Sequence, residues 1–159
     1  MHRRSLAIYL RNHDAGAQAG KELFRRAERN QRDRPYAAEL TALRAEVEED
    51  ARALRSVLRA EGVQPDLAQS LLLQLGERVG RLKPNGSLLR RSPLSDLIEI
   101  EAMFDAVRAK AAGWQALSTV PAPRWRDQVD PQRYYDRAMD QAEQLGTIHR
   151  SVATRLFTP

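Results

Sequence analysis

Residues 35–62 read PYAAELTALRAEVEEDARALRSVLRAEG, and the spacing of their apolar side chains decides the fold. Leu40, Leu43, Val47, Ala51, Leu54, Val57 and Leu58 recur at steps of three and four, the period of one face of an α-helix. Pro35 suits a first helical position, where a missing N–H costs nothing, and Gly62 supplies the stop. Asp50 falls on the same stripe, where a leucine would be expected, and Glu46 shares its face one turn earlier. The acidic run 46–50, followed by Arg52, Arg55 and Arg59, is expected to form pairs four residues apart on a wet surface.

The same period extends outward in both directions. A first helix over about residues 5–29 carries Leu6, Tyr9, Leu10, His13, Gly16, Ala17, Gly20, Leu23, Phe24 and Ala27 on one face. Its small residues are expected to let a neighbouring helix approach closely. Ser92-Pro93 reads as a cap followed by proline and opens a helix over about 93–117. One face of that helix is expected to carry Leu94, Leu97, Ile98, Glu101, Phe104, Arg108 and Ala111, widened by Met103, Val107 and Trp114. Asp130-Pro131 repeats the cap and opens a helix over about 131–157, with Tyr135, Ala138, Met139, Ala142, Leu145, Ile148, His149, Val152, Ala153 and Leu156. A shorter helix is expected at about 66–82, before the turn sequence Lys83-Pro84-Asn85-Gly86-Ser87.

Four amphipathic rods of about 24 residues, or about 36 Å each, pack as a bundle. The expected fold is therefore an all-α four-helix bundle, a single domain over residues 1–159, with a long, partly helical connection between the second and third long helices. Trp125, bracketed by Arg124 and Arg126 in a proline-flanked linker, is expected to close one end of the bundle as a lid.

Composition narrows the chemistry. The chain has no cysteine, which excludes disulfides, zinc–thiolate sites, thiol catalysis and iron–sulfur ligation. No stretch approaches the roughly 20 apolar residues of a membrane span, and Arg11 ends the apolar run of residues 6–10 too early for a signal-peptide core. A soluble, cytoplasmic protein without a membrane partner is expected. The net charge is +5, carried almost wholly by arginine. The charge is spread rather than blocked, and no recognition helix, zinc finger or RNA-binding signature accompanies it, so nucleic acid is not the expected partner. No nucleophile with an adjacent base and no phosphate-cradling glycine loop appears.

Chemistry then rests on four polar residues that interrupt the apolar stripes, one on each long helix: His13, Asp50, Glu101 and His149. Buried carboxylates must find partners. One reading is a hydrogen-bond network of these four with Arg108, which helps fix the packing of the helices. The other is a reduced metal site, since carboxylate and imidazole ligands suit iron, manganese or zinc and bundle interiors build such sites from facing helices. Depth along the helices bears on the choice. An up-down-up-down course places all four residues in one half of the bundle. A crossover after the second helix splits them into His13–Asp50 and Glu101–His149.

Long helices with an extended second connection and inward carboxylates and histidines resemble the ferritin-like superfamily. The stretches YLRNHDAGA at 9–17 and LSDLIEIEA at 94–102 are similar to an uncharacterised bacterial branch placed near it. Active members of that superfamily hold two metals with a glutamate from each of two helices and a Glu-x-x-His pair from each of the other two. No Glu-x-x-His occurs here; Glu101 could match one lone glutamate, and His13 stands where the other is expected. The DinB-like bundles need three inward histidines, whereas the chain has only His2, His13 and His149. The resemblance therefore implies a non-catalytic bundle that associates with itself as a dimer or with a protein partner, and the alternative is an iron- or manganese-binding oxidoreductase with an atypical site.

Overall fold

Two of the helices begin where a proline follows a capping side chain. Ser92 accepts a hydrogen bond from the Ser95 amide at 3.3 Å, and Asp130 accepts one from the Gln132 amide at 3.0 Å, each with proline next in the chain. The computed structural model describes residues 2–65, 92–121 and 123–158. These form α1 (His2–Asn30), α2 (Ala37–Ala60), α3 (Pro93–Ser118) and α4 (Pro131–Phe157), with no strand among the described residues. The short helix expected at 66–82 lies outside them.

Pro35 does not open α2. It sits in the turn between α1 and α2, and the residue before the helix, Tyr36, makes no side-chain cap. Tyr36 instead buries its ring and donates its hydroxyl to Gln31 Oε1 at 2.9 Å, which fastens the turn. Gly62 ends α2 with φ +67°, a backbone geometry open to glycine. The following Val63 amide returns to Leu58 O at 2.9 Å.

Side-chain pairs give the direction of each rod. α1 and α2 run antiparallel, since Arg25 meets Glu48 and Arg55 meets Asp14. α1 and α3 run antiparallel too, since Arg26 meets Glu99 and His13 lies against Gly113. α3 and α4 are antiparallel through Glu101–His149 and Trp114–Tyr134. α3 is therefore parallel to α2, and the order is up, down, down, up. The end of α2 and the start of α3 lie at opposite ends of the bundle. Around the bundle the order is α1, α2, α4, α3, so every adjacent pair is antiparallel and the parallel pairs sit on the diagonals.

The apolar interior divides into two clusters. One holds Phe24, Leu40, Leu43, Ile100, Met103 and Leu145; the other, toward the opposite end, holds Leu10, Leu54, Leu58, Trp114, Leu117 and Trp125. Burying each of these side chains fully contributes about 1.5–3 kcal/mol. Trp125 is wholly buried and closes its end of the core.

The face of α3 differs from the expected one. Leu97, Met103, Val107, Ala111 and Trp114 point inward as expected and Ile100 and Leu117 join them, while Leu94, Glu101 and Arg108 are exposed. Apolar residues surround the first half of this helix, so its periodicity has two solutions about 100° apart. Gly20, one of the small residues of α1, is not a point of close approach. A Cβ at Gly20 would meet nothing within 4 Å, whereas one at Gly113 would lie 2.7 Å from the His13 ring.

Candidate functional site: a charged layer inside the bundle

Between the two apolar clusters lies a layer of ionisable side chains. α2 contributes Asp50, α3 contributes Lys110 and α4 contributes Arg137 and Gln141. Asp50 is 2% exposed, and its two carboxylate oxygens accept from Lys110 Nζ and an Arg137 terminal nitrogen. Lys110 also donates to Gln141 Oε1, and Gln141 Nε2 donates to Glu46 Oε2 at 2.8 Å. The other terminal nitrogen of Arg137 reaches Glu49 at 3.1 Å.

Lys110 crosses the diagonal between the parallel helices α2 and α3, and it therefore loses most of its hydration. Burial pulls its pKa below the usual lysine value, with Asp50 opposing. Arg137 additionally lies 5.0 Å over the Tyr134 ring, on which Trp114 is stacked at 4.7 Å. Each buried charge in this layer has an opposite charge beside it, as interior ions require, although Arg137 Nε is buried without a hydrogen-bond partner.

The four residues singled out by the stripes occupy three separate places. Asp50 lies in the charged layer. Glu101 and His149 pair with each other, His149 Nε2 lying 2.9 Å from Glu101 Oε1. That pair is at the surface, with the Glu101 side chain 52% exposed, so Glu101 is not the interior carboxylate the stripe suggested. His13 packs its ring on Gly113 and against Tyr9, whose ring centroid is 4.4 Å away. Burial lowers the His13 pKa from its ordinary value of 6.5.

On α3 the three contact points are residues 101, 110 and 113, spread along about 18 Å of helix. His13 and Asp50 thus share one half of the bundle and Glu101 and His149 the other, the split that a crossover produces. Among the described residues no three or more histidine, aspartate or glutamate side chains converge as a metal-binding group. Arg108 joins neither histidine. It is exposed, with one terminal nitrogen 3.8 Å from Met139 Sδ.

The acidic run of α2 also works differently from expectation. Glu46 and Glu49 bind α4, and Glu48 binds Arg25 of α1 at 2.8 Å, so its contacts run mainly between helices; only Arg44–Glu48, at 3.1 Å, is a pair four residues apart.

Several interior polar groups escaped the pattern reading. Glu99 is 5% exposed and accepts from Arg26, Asn30 and Gln31 at 2.9–3.2 Å. Asp96 is 2% exposed and accepts from Arg34 Nε at 2.7 Å. Together they tie the first turns of α3 to the end of α1 and the turn after it. Asp14, 3% exposed, holds Gln18 and Arg55. A signal existed for Gln141, which falls between Ala138 and Leu145 at the helical step. For Asp96 and Glu99 the rotated face of α3 hid it.

Beside the layer, two shallow grooves follow the seam between α2 and α4. One is lined by Glu46, Arg133, Asp136, Arg137 and Asp140. The other is lined by Glu49, Arg52, Arg55, Ser56 and Arg59 of α2 together with Gln128 and Tyr134. No family model matches the chain, and no curated protein or solved structure matches it either.

Proposed function

We propose that this chain is a non-catalytic, ferritin-like helical bundle that acts in the cytoplasm by association, with a second copy of itself or with a protein partner. The observation that carries this reading is the pairing of Asp50 within the charged layer. Asp50, the one stripe carboxylate that is truly buried, spends both oxygens on Lys110 and Arg137 and turns none toward a groove. A bundle whose interior carboxylate is neutralised by fixed cations is built for rigidity, and its chemistry is left to its surface.

Two further features support the reading. The up-down-down-up order, together with residues 9–17 and 94–102, is consistent with a place near the ferritin-like superfamily. Leu94 and Phe157, 47% and 70% exposed, stand at the same level where the start of α3 meets the end of α4, and they offer an apolar contact.

Sedimentation equilibrium and elemental analysis of one preparation test the proposal. The expected result is a mass at or above twice 18.0 kDa, reduced by Leu94→Glu with Phe157→Glu, and no stoichiometric iron, manganese or zinc. Stoichiometric metal that disappears in Glu101→Ala or His149→Ala would overturn it in favour of a metal-binding protein. A melting temperature raised by added divalent ions would point the same way, because a ligand selective for the native state must stabilise it.

A further inference from the structure

We propose that the groove between the C-terminal half of α2 and the turn before α4 is a binding site for a small phosphate-bearing anion. Arg52, Arg55, Ser56 and Arg59 form one wall, and Gln128 and Tyr134 stand opposite. The three arginines sit at steps of three and four, so their guanidinium groups follow one stripe of α2 over about 10 Å.

The charge of this groove is unbalanced, unlike that of the interior layer. Among the described residues that line it, the one carboxylate, Glu49, is already bound by Arg137 at 3.1 Å. The Arg52 guanidinium makes no hydrogen bond or ion pair among the described residues, and Arg59 donates only to the neutral Ser56 hydroxyl at 2.8 Å, whose own proton goes to Arg52 O. Arg55 reaches Asp14 through Nε at 3.2 Å, which leaves its terminal nitrogens for a ligand. Guanidinium groups match phosphate oxygens in pairs, and the Gln128 amide adds a neutral donor.

The same groove is unsuited to the bases of a nucleic-acid strand. Tyr134, the only aromatic wall among the described residues, has Trp114 stacked on it at 4.7 Å and the Arg137 and Arg133 guanidiniums 5.0 and 6.0 Å from its ring centre. Among the described residues no aromatic face in the groove is left for stacking, the interaction on which single-strand binding depends. The chemistry that fits is a compact, multiply charged phosphate group, free or as the end of a small ester.

Titration calorimetry of the full chain at low salt with pyrophosphate, with a simple sugar phosphate and with a short single-stranded oligonucleotide tests this. Binding of pyrophosphate or the sugar phosphate is expected, weakened about tenfold or more in Arg52→Gln with Arg59→Gln, as the loss of charged hydrogen bonds implies. Arg52→Lys keeps the charge but not the fork and is expected to fall between. Pyrophosphate alone identifies a free anion, and the sugar phosphate alone an ester. Circular dichroism checks that the exposed substitutions leave the helices intact. Absence of binding by both phosphates, binding undiminished in the double variant, or binding of the oligonucleotide alone would each overturn the proposal.

Discussion

At the scale of single residues, the charged layer makes the sharpest demand. Removing Asp50 leaves Lys110 and Arg137, two cations without their shared anion, inside the bundle. Asp50→Asn is therefore expected to lower unfolding free energy by about 3–5 kcal/mol, the cost of breaking a buried pair on one side. Urea denaturation followed by circular dichroism measures it. Asp50→Asn with Lys110→Met removes one stranded cation and is expected to recover part of the loss. A double variant no more stable than the single one would show that Lys110 and Asp50 are not coupled.

His13 and Gly113 form a second residue-scale test. A methyl at position 113 would sit 2.7 Å from two atoms of the imidazole, so Gly113→Ala is expected to cost about 1–3 kcal/mol by overpacking. His13→Ala with Gly113→Ala makes room and is expected to cost less than the sum of the two single changes. The same ring has a pH signature. Its pKa in the fold is lowered from 6.5, so the unfolded chain takes up the proton first as the solution is acidified. The contribution to stability is complete above pH 6.5 and is lost as pH falls through the lowered folded value. Urea midpoints at pH 7.5 and pH 5 are expected to fall further in the native sequence than in His13→Gln. An equal fall in both would show that His13 carries no such linkage.

At the scale of elements, the two capped helices are legible in the sequence because capping is local. Ser92-Pro93 and Asp130-Pro131 need only their own next residues to act, and both do so. Asp130→Ala removes an acceptor for the Gln132 amide and is expected to cost about 1 kcal/mol, or about 2–4 °C in melting temperature by calorimetry. The buried face of α2 is legible for a related reason: apolar and charged residues alternate there without ambiguity, and Leu40 through Leu58 all point inward. The face of α3 is not, because Leu94, Ile98 and Phe104 compete with Ile100, Met103 and Val107 for the same role. That rotation turned Glu101 outward and Glu99 inward. The interior partners were out of reach altogether. Nothing local to Asp50 says that a lysine 60 residues away will cross the bundle to meet it.

At the scale of the whole molecule, helix direction governs which polar groups can meet. With α3 parallel to α2, all four neighbouring pairs are antiparallel, and opposite dipole ends lie side by side at both ends of the bundle. The chain's lack of cysteine makes this order directly testable, since an introduced pair has no competitor. Arg26 and Glu99 are 3.0 Å apart across α1 and α3. In an up-down-up-down bundle α3 would run parallel to α1, and residue 99 would sit level with the start of α1, roughly 27 Å away along the axis. Arg26→Cys with Glu99→Cys is therefore expected to join in good yield with a short thiol cross-linker, read by mass spectrometry of the digested protein. Arg3→Cys with Glu99→Cys is expected to give none. The reverse pattern would reverse α3, part Asp50 from Lys110, and remove the charged layer on which the stability predictions rest.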